Sequence, residues 1–96
     1  MLSRHYKLLE ALAETNRLRM LELFDDVDEL TPTMISKFMD ISAPLCTHHM
    51  QVLKRAGFIS IHKAGRSKIV TRNLEPFDTL QNALFAITKQ PSGANL

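Results

Sequence analysis

A single cysteine, Cys46, rules out an internal disulfide. One unpaired thiol fits a reducing compartment, and a cytoplasmic location is expected. Three glycines in 96 residues leave no glycine-rich loop that could cradle a nucleotide phosphate. No Ser-His-Asp set stands out, and neighbouring carboxylates occur only in the run at residues 25–29. The sequence therefore argues against an enzyme. The apolar runs are only a few residues long, far short of the roughly 20 that span a membrane. The opening Met-Leu-Ser-Arg-His-Tyr-Lys lacks the apolar core and small-residue cleavage site of a secretory signal.

The most informative shortage is of acid. Residues 43–74 hold six Lys/Arg and no Asp or Glu, plus His48, His49 and His62. Residues 1–42 carry five Lys/Arg against eight Asp/Glu, so the formal net charge of +2 hides a basic segment. A solvated positive face is the plain reading. A surface that meets phosphates is the sharper one.

Apolar periodicity places helices where the charge changes. Leu8, Leu9, Leu12 and Ala13 mark a first helix over residues 3–14, interrupted at Thr15-Asn16. Leu18, Leu21 and Phe24 give a second helix an inner face, and residues 25–29 form an exposed acidic loop. That loop lacks the turned oxygen cage of a cation site. Thr31 caps a third helix with Pro32 in its first turn and Ile35, Phe38 and Met39 inward. After a tight turn at residues 40–42, Ser42 caps a fourth helix that Gly57 ends. The period then drops to 2: residues 58–63 and 67–72 read as a β-hairpin turned at Ala64-Gly65-Arg66. Pro76 opens a last helix with a Phe77–Leu80–Leu84–Ile87 stripe, and Pro91 stops it. Residues 1–90 make one domain, and 91–96 a flexible tail.

This order is mainly α with a small β-hairpin. Two short helices joined by a tight turn and followed by a basic hairpin describe a winged helix-turn-helix. Cys46, Met50 and Leu53 share one face of the fourth helix, the buried one. The other face offers Ser42, Ala43, Thr47, His48 and Gln51, with Lys54 and Arg55 at the far end. Short polar side chains without acid can enter a major groove, and Gln51 can pair with adenine. Lys63, Arg66 and Lys68 near the hairpin tip, with Arg72 at its base, suit backbone or minor-groove contact. Adjacent helical residues point about 100° apart, so His48 and His49 are not a zinc pair. His48 is expected on DNA and His49 in a structural hydrogen bond. Cys46 reads first as core filler; an oxidation switch is the sharper reading, although no resolving thiol exists.

Residues 14–21, Glu-Thr-Asn-Arg-Leu-Arg-Met-Leu, resemble the "DPTRLRIL" segment of the ArsR/SmtB family of winged-helix repressors. Residues 41–58 look like that family's "LSQPTVSHHLKVLREAGLV", and Gly65-Arg66 falls at its wing "GR". The resemblance spans about residues 5–88 and rests most on the spacing of Ser42, Pro44, His48, His49, Leu53, Ala56 and Gly57. It implies a repressor that binds double-stranded DNA at an imperfect palindromic operator. It also implies a homodimer built from the first and last helices, burying Leu9, Leu80, Leu84 and Ile87. Recognition-helix contacts are implied at Ala43, Thr47 and His48, and wing contacts near Arg66.

The departures matter as much. Ala43 replaces the family's glutamine and Leu45 its threonine, removing a base-reading side chain and a phosphate-contacting hydroxyl. More weight then falls on the wing and on DNA shape. Thr31 and Thr33 stand where many relatives place metal-binding cysteines, and the last helix has no histidine for the other usual site. No metal and no cofactor are expected. Ala43 and Leu45 also favour a rival: a winged-helix module that binds protein, or a regulator controlled by a partner or by Cys46 oxidation. A small-molecule sensor at the dimer interface is a third reading, for which no ionisable cluster speaks.

Overall fold

The computed structural model describes residues 2–88. The elements run α1 (Leu2–Leu12), α2 (Thr15–Glu22), β1 (Glu29–Leu30), α3 (Pro32–Met39), α4 (Ala43–Ala56), β2 (Ile59–Ala64), β3 (Ser67–Arg72) and α5 (Glu75–Thr88). Pro91 and the tail lie outside the described residues.

Helix boundaries follow local capping chemistry. Thr31 Oγ1 accepts from the Met34 N–H at 3.1 Å, and Ser42 Oγ from the Leu45 N–H at 3.2 Å. Each satisfies a donor that the first helical turn leaves unpaired. Gly57 takes φ +90° at the C-cap of α4, a conformation that side chains disfavour. The turn between α3 and α4 is made by Asp40, whose φ of 55° is left-handed without glycine. Ser36 Oγ donates to the Ile41 carbonyl at 2.7 Å and steadies it. At the start of α2 the cap is Glu14, whose carboxylate accepts from the Arg17 N–H. Thr15 and Asn16, expected as the interruption, lie inside the helix.

The hairpin pairs Ile59 with Arg72 through to Ala64 with Ser67. Its turn is two residues, Gly65-Arg66, with Gly65 at φ +64° and first in the turn. That placement matches the II′ turn whose twist suits a hairpin. The sheet has a third member that sequence periodicity misses. The two-residue β1 pairs antiparallel with β3, Leu30 opposite Val70, giving the order β1-β3-β2. A strand this short at the edge of an acidic loop has no period to read.

The core joins the helices and the sheet. Leu8 and Ala11 from α1, Met20 and Leu21 from α2, and Ile35 and Met39 from α3 meet Cys46, Met50 and Leu53 of α4. Phe58, Ile59 and Val70 close it from the sheet, and Phe58 stacks edge-on against Phe77 of α5 at 4.9 Å. Two expected inward residues point out. Leu18 is 46% exposed and Phe38 60%, while Met20 is fully buried. Helical period fixes which residues share a face, but a face wider than the core leaves its flank in water.

Arg72 binds the hairpin to the helices. Its guanidinium donates to Asp25 Oδ1 at 2.9 Å and to the Leu21 and Phe24 carbonyls at 3.2 Å each. The Leu21 carbonyl, which also accepts from the Phe24 N–H at 3.2 Å, lies in the last turn of α2, and the Phe24 carbonyl lies just beyond it. Arg72 is therefore a strut and not, as its sequence position suggests, part of a free basic wing.

Candidate nucleic-acid interface

Helix α4 is divided by burial. Cys46, His49, Met50 and Leu53 are buried; Ser42, Ala43, Thr47, His48, Gln51, Lys54 and Arg55 are all exposed. Gln51 stands on the crest. Ala43 and Thr47 face a groove shared with Thr33, Ser36 and Lys37 of α3. His48 and Arg55 lean the other way, toward α1. The residues expected at DNA thus share one outer surface of one helix but divide into a crest and two flanks.

The wing carries Lys63, Arg66 and Lys68, all exposed. Lys63 and Lys68 are directly opposite in the strand register. Like charges at such a pair repel, and the cations of the wing tip have no ion-pair partner among the described residues. An anionic surface would relieve that repulsion. Arg66 and Lys68 also line a groove with Thr31, Pro32 and Thr33 at the start of α3. The structure therefore sets the hairpin tip beside the helix-turn-helix.

His49 lies beneath the reading helix, only 4% exposed. Arg17 Nη1 is 3.4 Å from its Nδ1. A guanidinium can only donate, so Nδ1 is the acceptor and the ring proton sits on Nε2. Nε2 is 4.0 Å from Glu14 Oε1. Burial lowers the His49 pKa; Glu14 opposes the shift, and Arg17 and His48 add to it. The neutral imidazole is a joint between α4 and the α1–α2 turn, the structural role expected for it. Sequence reading found the histidine but missed Arg17, whose Nε also donates to the Ala11 carbonyl at 2.6 Å.

Cys46 is 2% exposed, its Sγ 3.8 Å from the Pro32 carbonyl, and burial pushes its thiol pKa up. A buried thiol held protonated is a poor nucleophile. Thr31 spends its hydroxyl on the α3 cap, and Thr33 is exposed. Among the described residues, no three His, Cys, Asp or Glu side chains converge to hold a metal. No helix among them is long and apolar enough to cross a membrane.

A second surface is apolar. Helices α1 and α5 pack together and leave Tyr6, Leu9, Leu84, Phe85 and Ile87 exposed. Leu80, expected on this outer stripe, is 5% exposed and belongs to the chain's own core. The α5 stripe turns inward at its N-terminal end, where Phe77 meets Phe58.

No protein-family model matches this chain, and no curated protein does. Solved structures do match. One, described as an ArsR family transcriptional regulator, shares 24% identity over 100% of this chain and 97% of its own, with a TM-score of 0.84. The reduced HlyU of Vibrio cholerae shares 24% identity over 92% of each chain, at a TM-score of 0.70. A homodimeric winged helix-turn-helix DNA-binding domain from Mycobacterium bovis, a possible ArsR-family regulator, shares 16% over 99% of this chain and 88% of its own, at 0.73. At these identities the likeness establishes the fold. The chain is a winged helix-turn-helix domain, in the arrangement found in structures of ArsR-family regulators.

Proposed function

We propose that this chain is a homodimeric, sequence-specific regulator that binds double-stranded DNA and represses transcription from the cytoplasm, without sensing metal. One observation carries the reading: the exposed face of α4 and the tip of the β2–β3 wing contain no Asp or Glu of their own and bear cations without an ion-pair partner among the described residues, and the wing tip lies beside the start of α3. The geometry suits the division of labour at a DNA site. Gln51 and Thr47 reach base edges, while Arg66, Lys63 and Lys68 hold phosphates. Exposed Ser42 caps α4, and the N–H groups its hydroxyl does not engage at that N-terminus favour an anion. The fold shared with the homodimeric M. bovis domain supports pairing, and exposed Leu9 of α1 and Leu84 of α5 offer it an apolar surface. A dimer would place two reading heads on the two halves of an imperfect palindrome.

The test is selection of bound duplex from a random pool, followed by a mobility shift on the selected site. A recovered two-fold sequence bound by the dimer supports the reading; no enrichment over many rounds overturns it. Exposed Leu45 and short Ala43 favour the protein-module alternative, which predicts that second result. Control by Cys46 oxidation is tested by mild peroxide treatment of the wild type and of Cys46→Ser. Equal loss of DNA binding in both would exclude a switch at that thiol.

A further inference from the structure

A cleft of about 550 Å³ lies beside the recognition helix, between α1 and α4, and the features above leave it unexplained. Its walls include Lys7 and Glu10 of α1, Arg17 of α2, and His48, Val52 and Arg55 of α4. Three cations and an imidazole thus face one carboxylate. We propose that this cleft is a phosphate-binding site, the phosphate coming either from the DNA backbone or from a free phosphorylated compound.

The arrangement of charge carries the argument. Arg17 is fixed on the cleft wall by neutral acceptors: the Ala11 carbonyl at 2.6 Å, the Glu10 carbonyl at 3.3 Å and His49 Nδ1 at 3.4 Å. The nearby Glu14 carboxylate is engaged instead by the Arg17 backbone N–H. Arg17 is therefore a fixed positive charge that its guanidinium contacts do not neutralise. Lys7 and Arg55 come from different helices, and neither side chain has an ion-pair or hydrogen-bond partner among the described residues. Cations gathered in a concavity with low-dielectric walls such as Val52 concentrate the field that attracts an anion. A phosphate in the cleft would be met by Lys7 and Arg55 on its oxygens, with His48 offering an N–H.

The DNA source rests on the proposed function and adds a residue outside the helix-turn-helix. A helix with its side chains is about 10–12 Å across, and a B-form major groove is about 12 Å wide. The part of α4 that carries Thr47 and Gln51 then reaches base edges, and the flank turned toward α1 meets a sugar–phosphate wall. His48 and Arg55 lie on that flank, with Lys7 facing them from α1. On this account His48 and Arg55 position the protein and do not read sequence, and the first helix takes part in binding DNA.

The experiment compares wild type, Lys7→Gln and Arg19→Gln as full chains. Arg19 is an exposed cation of α2 outside the cleft. Affinity for the selected duplex and for an unrelated one is measured across salt concentrations. In parallel, inorganic phosphate is titrated while NMR follows the His48 ring and the Val52 amide. With DNA as the source, Lys7→Gln weakens both duplexes by the same factor and removes about one unit of the log–log salt slope. With a free phosphate compound as the source, duplex binding by Lys7→Gln is unchanged. The His48 and Val52 signals then shift with phosphate in the wild type and not in the variant. No change in either assay overturns the site, as does an equal change in Arg19→Gln, which would reduce the effect to net charge. A wild type that binds no duplex would refute the DNA reading alone, because the phosphate titration still decides the cleft.

Discussion

Two arginines of the hairpin unit show how position decides the work of one residue type. Arg66 lies in the two-residue turn, exposed and without an ion-pair partner among the described residues, whereas Arg72 closes three contacts onto the end of α2 and the following loop. Arg66→Ala should leave thermal stability within about 0.5 kcal/mol and flatten the salt dependence of DNA binding by about one unit of slope. Arg72→Ala should do the reverse. It removes three hydrogen bonds that tie β3 to the end of α2 and the loop after it, so stability should fall by about 1–3 kcal/mol in chemical denaturation, with the salt slope unchanged. A lower slope for Arg72→Ala would return that residue to the DNA surface. His49 gives a pH prediction of definite sign. Its folded pKa lies below the ordinary 6.5, chiefly through burial. The unfolded chain therefore takes up the proton first as pH falls. The stability contributed by neutral His49 is complete above about pH 6.5 and declines as pH drops below that value toward the lowered folded pKa. His49→Gln can keep an acceptor for Arg17 but cannot titrate, so denaturation midpoints measured from pH 7.5 to 5 should fall less steeply than in the wild type. Parallel curves would remove His49 as the cause.

At the scale of elements, α4 is the best specified because both ends and its inner face are written locally. Gly57 is required for its backbone rather than for space: a Cβ there would meet only the Pro76 Cγ at an ordinary 3.6 Å, but φ is +90°. Gly57→Ala should therefore cost about 1–2 kcal/mol in unfolding free energy without changing the core. A neutral outcome would show that the cap relaxes to another conformation. Thr47→Ala and Gln51→Ala should shift base preference in the selected site while leaving the salt slope alone, since neither side chain carries charge. The same locality explains what could be read from residues alone. Ser42, Gly57 and the spacing of Cys46, Met50 and Leu53 define α4 without reference to any partner. The pairing of β1 with β3 depends on residues about 40 apart and on a strand too short to show alternation. Leu18 and Phe38 fit an inward helical period, but how far each helix face extends into water depends on neighbouring elements that the period does not encode. The candidate site divides in the same way. Its cations were visible as a run without acid, whereas the removal of Arg72 from that set and the approach of Lys7 to Arg55 arise only from tertiary packing.

For the whole molecule, the small size of the chain and the placement of its apolar surface make the same demand. A domain of this length buries only about 60–65% of the surface its unfolded chain exposes. It nonetheless leaves Tyr6, Leu9 and Leu84 in water on the paired helices α1 and α5. Contiguous apolar surface of this kind marks an association site, and a second copy would bury it while setting two α4 helices on one duplex. The internal contrast between Leu80 and Leu84, one helical turn apart, provides the test. Leu80 is 5% exposed and fills the chain's own core; Leu84 is 48% exposed and faces outward. Leu80→Ala should cost about 2–5 kcal/mol of stability, as loss of a buried leucine does. Leu84→Glu should keep the helical circular dichroism of a folded chain but shift sedimentation from dimer to monomer. It should weaken the palindromic site far more than a single half-site, because a monomer can engage only one half at a time. A Leu84→Glu protein that still sediments as a dimer would remove α5 from the interface and require the two reading heads to be joined elsewhere.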